Sequence, residues 1–195
     1  MTTPCTPDEA RLAEESFQRI AGDLAMIADR TIELLSFRAE RATQRAAGRA
    51  TVHISFKLGF QQNGEIVHGA LVLPLAEAIT LACYLMMVPD DGVKSKRALQ
   101  ALDAGLKDAL MEVGNFVGGA TDAALRGLGV PDIKVRSEGC QGVKANVRPA
   151  FTYTDGAPLI VATAKLRIHS WPAFDALLML PVLETAASTT TTTAS

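Results

Sequence analysis

The chain has 195 residues, 48% of them hydrophobic, enough to build one domain with a proper core and no disulfide or metal staple. Aromatic residues make up only 5%, while Ala, Leu and Val dominate, which favours a helix-rich or mixed fold over an all-β sandwich. A formal charge of -2 argues against a strongly basic face, so nucleic acid is not an expected partner.

Thr6-Pro7-Asp8-Glu9 reads as a helix start, with Thr6 as the cap, Pro7 in the first turn and acids following. From there to about Ala47 only Gly22 interrupts. Phe17, Ile20, Leu24, Ile27, Thr31 and Leu34 recur at steps of three and four, as a coiled-coil seam or a helix laid on a sheet would. Residues 1–50 are therefore expected as an N-terminal helix, either a coiled coil or the first helix of the domain. Gly48 ends it. Thr51–Phe60 alternates and is rich in strand formers, Gln61–Gly64 reads as a turn, and Glu65–Leu73 as the returning strand of a hairpin.

Pro74 opens a short apolar helix, LAEAITLACYLMM, which stops at Val88-Pro89-Asp90-Asp91-Gly92. After a charged loop (Lys94, Lys96, Arg97) the spacing predicts a long helix from about Arg97 to Arg126, ended by Gly127 and Gly129 with Pro131 beyond. Strands are predicted at Ile133–Glu138, Val143–Tyr153, Pro158–His169 and Phe174–Leu180, with Ser170-Trp171-Pro172-Ala173 as a hairpin connection. Residues 51–183 then form an α+β domain with a mostly antiparallel sheet, and the Thr-rich stretch 184–195 reads as a disordered tail.

The three cysteines (Cys5, Cys83, Cys140) are odd in number and far apart, fitting neither a disulfide framework nor a zinc site. Cys83 lies in an apolar helical run and reads as a small core residue. His53, His68 and His169 fall in separate predicted strands without metal-type spacing. No apolar run approaches a bilayer span, and the acidic N-terminus lacks a hydrophobic signal core, so the cytoplasm is the expected setting.

On a wheel of 100° per residue the long helix separates cleanly. Leu99, Leu102, Leu106, Leu110, Val113, Val117, Ala120 and Ala124 share one side, which must bury against the sheet. Asp108, Glu112 and Asn115 lie on the other, flanked by Gly105 and Gly119. A helical glycine costs about 1 kcal/mol relative to alanine, and this helix has Gly105, Gly114, Gly118 and Gly119. Gly114 and Gly118, four apart, suit the close approach of a helix or strand. Gly105 and Gly119 leave a flat polar-side surface that a partner's backbone can approach. Asn115 is an unfavourable mid-helix residue. The plain reading of the trio is a solvated helix face.

Asp108-x3-Glu112-x2-Asn115, followed by Gly118 and Ala120, resembles the signature of the CheC/CheX/FliY-type chemotaxis phosphatases. The resemblance runs from about Val52 through Pro181, with hairpin, short helix, motif helix and closing strands in the family's order. No second Glu-x-x-Asn occurs in the first helix, where Glu15-x-x-Gln18 is nearest, so the single-motif CheX-like form fits better. Members often have Asn where this chain has Gly119, and the N-terminal helix is longer than the family needs.

The resemblance implies a phosphatase whose substrate is a phosphorylated CheY-like response regulator. Asn115 would orient a water in line with phosphorus, Glu112 would pair with the regulator's lysine, and Asp108, Gly105 and Gly119 would support docking. It implies no cofactor of the chain's own, with Mg2+ belonging to the regulator, and a homodimer is expected. Gly-x-Ser-x-Gly, Gly-x-x-x-x-Gly-Lys and Gly-x-Gly-x-x-Gly are all absent. The rival reading is a module that docks a regulator or other signalling partner without turning it over, with the N-terminal helix as its dimerising or partner-binding element.

Overall fold

A computed structural model describes residues 2–183. Among them the chain runs β1 (Thr2–Pro4), α1 (Pro7–Ala28), β2 (Ile32–Ala42), β3 (His53–Gln62), β4 (Glu65–Pro74), α2 (Leu75–Leu85), α3 (Asp90–Lys96), α4 (Ala104–Gly127), β5 (Lys134–Val143), β6 (Leu159–Ile168) and β7 (Phe174–Pro181). The seven strands form one antiparallel sheet in the order β1-β2-β6-β7-β4-β3-β5. The expected α+β architecture is therefore present. The predicted tail, 184–195, lies outside the described residues.

One face of the sheet carries the helices. Phe56, Leu58 and Phe60 of β3, Leu71 and Leu73 of β4, and Ala162, Ala164 and Leu166 of β6 point into a core shared with α1, α2 and α4. Their alternation along each strand is the period of two that buries one face. The other face carries a smaller cluster, Ala70, Val72, Val161, Met179 and Phe151. Two irregular segments meet beside it: the Asn146 N–H donates to the Gly48 carbonyl at 2.8 Å, and Arg45 Nη1 to the Pro149 carbonyl at 2.8 Å.

The first helix begins as predicted. The Glu9 N–H donates to Thr6 Oγ1 at 3.3 Å and the Thr6 N–H to Glu9 Oε2 at 2.9 Å, a reciprocal capping box. It ends at Ala28, however, not near Ala47. Asp29 turns left-handed (φ 50°), a conformation short polar side chains tolerate, and an 11-residue strand follows. The misreading has a geometric cause. Ile32, Leu34, Phe37 and Ala39 face the core, but the register slips between Leu34 and Ser36, so a strand period of two shows a helical step of three.

The expected boundary near residue 51 also falls between strands of one sheet, since β2 pairs with β6 from Ile32↔Ile168 to Ala42↔Leu159. Of the two readings of the stripe, a coiled-coil seam or a helix laid on a sheet, the part within α1 follows the second. Phe17 is fully buried, and Ile20 and Leu24 nearly so.

Three further expectations change. The charged loop after α2 is a short helix, α3, whose acids Asp90 and Asp91 open it and whose Lys94 and Lys96 close it, in keeping with the helix dipole. The long helix starts at Ala104 rather than Arg97, because Asp103 accepts the Leu106 N–H at 2.8 Å and caps it; Leu99 lies outside it, exposed. Residues 144–158 form no strand: Asn146 adopts φ 62° and Pro149 lacks a donor. The β3–β4 hairpin stands, its Asn63-Gly64 turn having φ 52° and 83° as a tight type I′ connection requires.

Candidate functional site

Helix α4 is held from behind. Leu106, Leu110, Val113 and Val117 are completely buried. Gly114 and Gly118 are where β5 comes closest. A Cβ at Gly118 would lie 2.7 Å from the Ser137 nitrogen and 3.2 Å from the Arg136 carbonyl carbon, and one at Gly114 would lie 2.9 Å from Ser137 Oγ and 3.3 Å from Phe56 Cδ1. Of the two partners foreseen for these glycines, it is the strand that approaches. At the far end Asp122 Oδ1 accepts the Val135 N–H at 2.7 Å and ties the helix to the start of β5. That tether joins residues 13 apart, and nothing local in the sequence marks it.

This backing turns the polar stripe outward. Asp108, Glu112, Asn115, Gly105 and Gly119 are all exposed. Asn115 Nδ2 donates to Glu112 Oε2 at 3.4 Å, so the two side chains lie together. Asp108 sits one turn earlier and bonds to neither. Among the described residues no ion pair engages Asp108 or Glu112. A Cβ at Gly119 would meet nothing within 4 Å, while one at Gly105 would touch only Asp103 Oδ1 at 3.6 Å. The surface is flat and open at Gly119. The arrangement offers an acceptor carboxylate for a cation and a neutral amide that both donates and accepts.

Two exposed apolar residues on this face had no place in the polar pattern, Met111 and Phe116. Their signal was the wheel itself, on which both fall on the non-core side.

The remaining reactive groups lie elsewhere. His53 is buried in β3 under Gly48, and burial holds its imidazole below the usual histidine pKa. His68 meets Glu138 at 3.1 Å, and Lys57 meets the same carboxylate at 2.8 Å. His169, predicted inside a strand, falls in the turn after β6 with φ 49°. Cys83 is fully buried as expected, and burial pushes both its thiol and that of Cys140 upward. Among the described residues no three His, Cys, Asp or Glu side chains gather as metal ligands, and no helix is long and apolar enough to cross a membrane.

No family model and no curated protein matches the chain. Solved structures do. It is similar to FliY of Thermotoga maritima, with TM-score 0.64 at 18% identity over 91% of this chain and 92% of that one. A chemotaxis protein CheX from Desulfovibrio desulfuricans gives 0.54 at 16% identity over 89% and 99%. The FliM middle domain from H. pylori gives 0.61 at 12% identity over 91% and 94%. The chain thus has the fold of the CheC/CheX/FliY group, one that the FliM middle domain shares.

Proposed function

We propose that the protein dephosphorylates the phospho-aspartate of a CheY-like response regulator. The observation that carries this reading is the Glu112–Asn115 pair. The two side chains are exposed side by side at 3.4 Å, with Glu112 free of ion pairs, on a helix fixed from behind by β5. Acyl phosphates are labile, so a catalyst gains most by positioning the attacking water and stabilising the phosphoryl charge. Asn115 suits the first task, since its amide oxygen can accept a hydrogen bond from the water and its NH2 can donate to a phosphoryl oxygen, while the group stays neutral. The water oxygen bonds to phosphorus as the phosphorus–oxygen bond to the aspartyl carboxylate breaks. The products are the free carboxylate and hydrogen phosphate, which keeps one of the water's protons while the other passes to solvent.

Glu112 pairs with the regulator's lysine and sets the register of docking, and Asp108 adds to the acidic surface. The Mg2+ that assists the reaction belongs to the regulator. The protein acts in a chemotaxis-type or other two-component pathway. A homodimer is part of the proposal, formed elsewhere than through the apolar stripe of α1, which the core buries.

A second reading, docking without turnover, is favoured by the open surface at Gly119, which serves contact more directly than chemistry; a shared fold does not by itself specify an activity. One assay separates the two. Purified protein is mixed with a phosphorylated CheY-like receiver domain and release of inorganic phosphate is followed. Wild type accelerates release, and Asn115→Ala loses about 100-fold of that acceleration, the scale of a mispositioned reactant. Equal, slow release by both would leave docking alone.

A further inference from the structure

The Glu112–Asn115 pair is flanked by apolar side chains. At 100° per residue Met111 falls on one side of it and Phe116 on the other. They are 44% and 37% exposed, and Phe116 is the one exposed aromatic residue among those described. Met111 leans towards β5, its sulfur 3.8 Å from Cys140 Sγ. Between the two lie Asp108 and Glu112 without ion-pair partners, and one turn on from Asn115 lies the open surface of Gly119. Scattered surface apolar residues are ordinary. Two of them bracketing an unpaired carboxylate and an amide make a different pattern, an apolar rim around a polar centre.

We propose that Met111 and Phe116 are the anchors by which the receiver domain of the phosphorylated regulator docks over this pair; the proposal rests on the phosphatase reading above. The surface it fits has an aliphatic patch on either side of a cation, and a backbone segment able to lie against Gly119. Aromatic side chains and methionine are enriched at the cores of such contacts, methionine because it repacks readily. Closing them over Glu112 excludes water and strengthens its pairing with the incoming lysine.

The two anchors touch the regulator's surface and not the reacting atoms, so their contribution is equal in the ground and transition states. Uniform binding of that kind sets KM and leaves kcat alone. Asn115 should do the reverse.

The test uses the full chain and a panel of CheY-like receiver domains from the same genome, loaded with Mg2+ and beryllofluoride as a stable phosphoryl mimic. Binding is read by titration calorimetry and turnover by phosphate release. Phe116→Ala is expected to weaken binding about 30-fold, the scale of a truncated hot spot, and to raise KM equally while the saturated rate stays within about twofold. Met111→Gln is expected to cost about 5-fold, the scale of a lesser interface contact, and Phe116→Leu to restore most of the affinity. Far-UV circular dichroism confirms that each variant is folded. Asn115→Ala should lose the saturated rate with little change in binding.

Unchanged binding by Phe116→Ala, alongside an inactive Asn115→Ala, would overturn the docking proposal and leave the phosphatase reading intact. A fall in saturated rate at unchanged KM would overturn it too, by placing Phe116 in the chemistry. A wild type that neither binds nor dephosphorylates any receiver of the panel would sink both.

Discussion

Replacing Gly118 by alanine sets two effects of opposite sign against each other. Alanine is the better helix former by about 1 kcal/mol, so on an exposed helix the change would stabilise. At Gly118 the new methyl would stand 2.7 Å from the Ser137 nitrogen, where ordinary contact begins near 3.4 Å. The obstacle is the backbone of β5, pinned on one side to β3 and at its start to Asp122, so helix and strand must separate. Because the obstacle is backbone, the upper part of the roughly 1–3 kcal/mol range for overpacking applies, about 2–3 kcal/mol, and after the propensity gain a net loss of about 1–2 kcal/mol is expected. For a domain of this size that lowers Tm by about 3–6 °C.

The neighbouring residue supplies the control. A methyl at Gly119 meets nothing within 4 Å, so Gly119→Ala should raise Tm by about 2–4 °C. Differential scanning calorimetry on the two variants and wild type reads both signs. A Gly118→Ala protein melting at or above wild type would refute the idea that β5 presses on the helix there. The stabilised Gly119→Ala protein should also bind the proposed partner more weakly, since the methyl occupies the docking surface.

Burial holds the His53 imidazole below its ordinary pKa, so the unfolded chain binds the extra proton first. Stability is therefore full at pH 7.5 and falls as pH drops below about 6.5, and His53→Gln should flatten that decline in urea titrations at pH 7.5 and 5.5. Parallel declines in the two proteins would show that another group is responsible. A chain beginning at Ala50 loses α1 and β2, uncovering the core that Phe17, Ile20 and Leu24 pack against and the edge of β6, and should show no cooperative unfolding transition by circular dichroism. A sharp transition would restore the first 50 residues to the status of an appendage. Glu112→Gln keeps the shape and removes the charge, so binding to a beryllofluoride-loaded receiver should weaken by about 10-fold or more, the scale of a lost charge-assisted hydrogen bond. Unchanged affinity would remove Glu112 from the contact.

Local features were the legible ones. Asn63-Gly64 between alternating runs determines the β3–β4 hairpin, because a two-residue turn needs positive φ at both positions and these residues accept it. Thr6 and Glu9 mark the start of α1, since the capping box closes within one turn of chain. The two-sided character of α4 follows from the helix period, which by itself brings Asp108, Glu112 and Asn115 to one face with Gly114 and Gly118 on another.

What the sequence could not decide depended on partners distant along the chain. Ile32–Ala42 is a strand because β6, more than a hundred residues away, offers it ten pairings, and its bulge at Leu35 disguises the period. Residues 144–158 have enough apolar content for a strand but pair with neither edge strand of the sheet, and Phe151 instead packs on the face away from the helices. The choice of β5 as the element behind Gly118, and the Asp122 tether that fixes it, likewise exist only once helix and sheet have met. Short-range sterics and hydrogen bonds are written residue by residue, whereas strand pairing and close packing are settled by which surfaces the folded chain brings together.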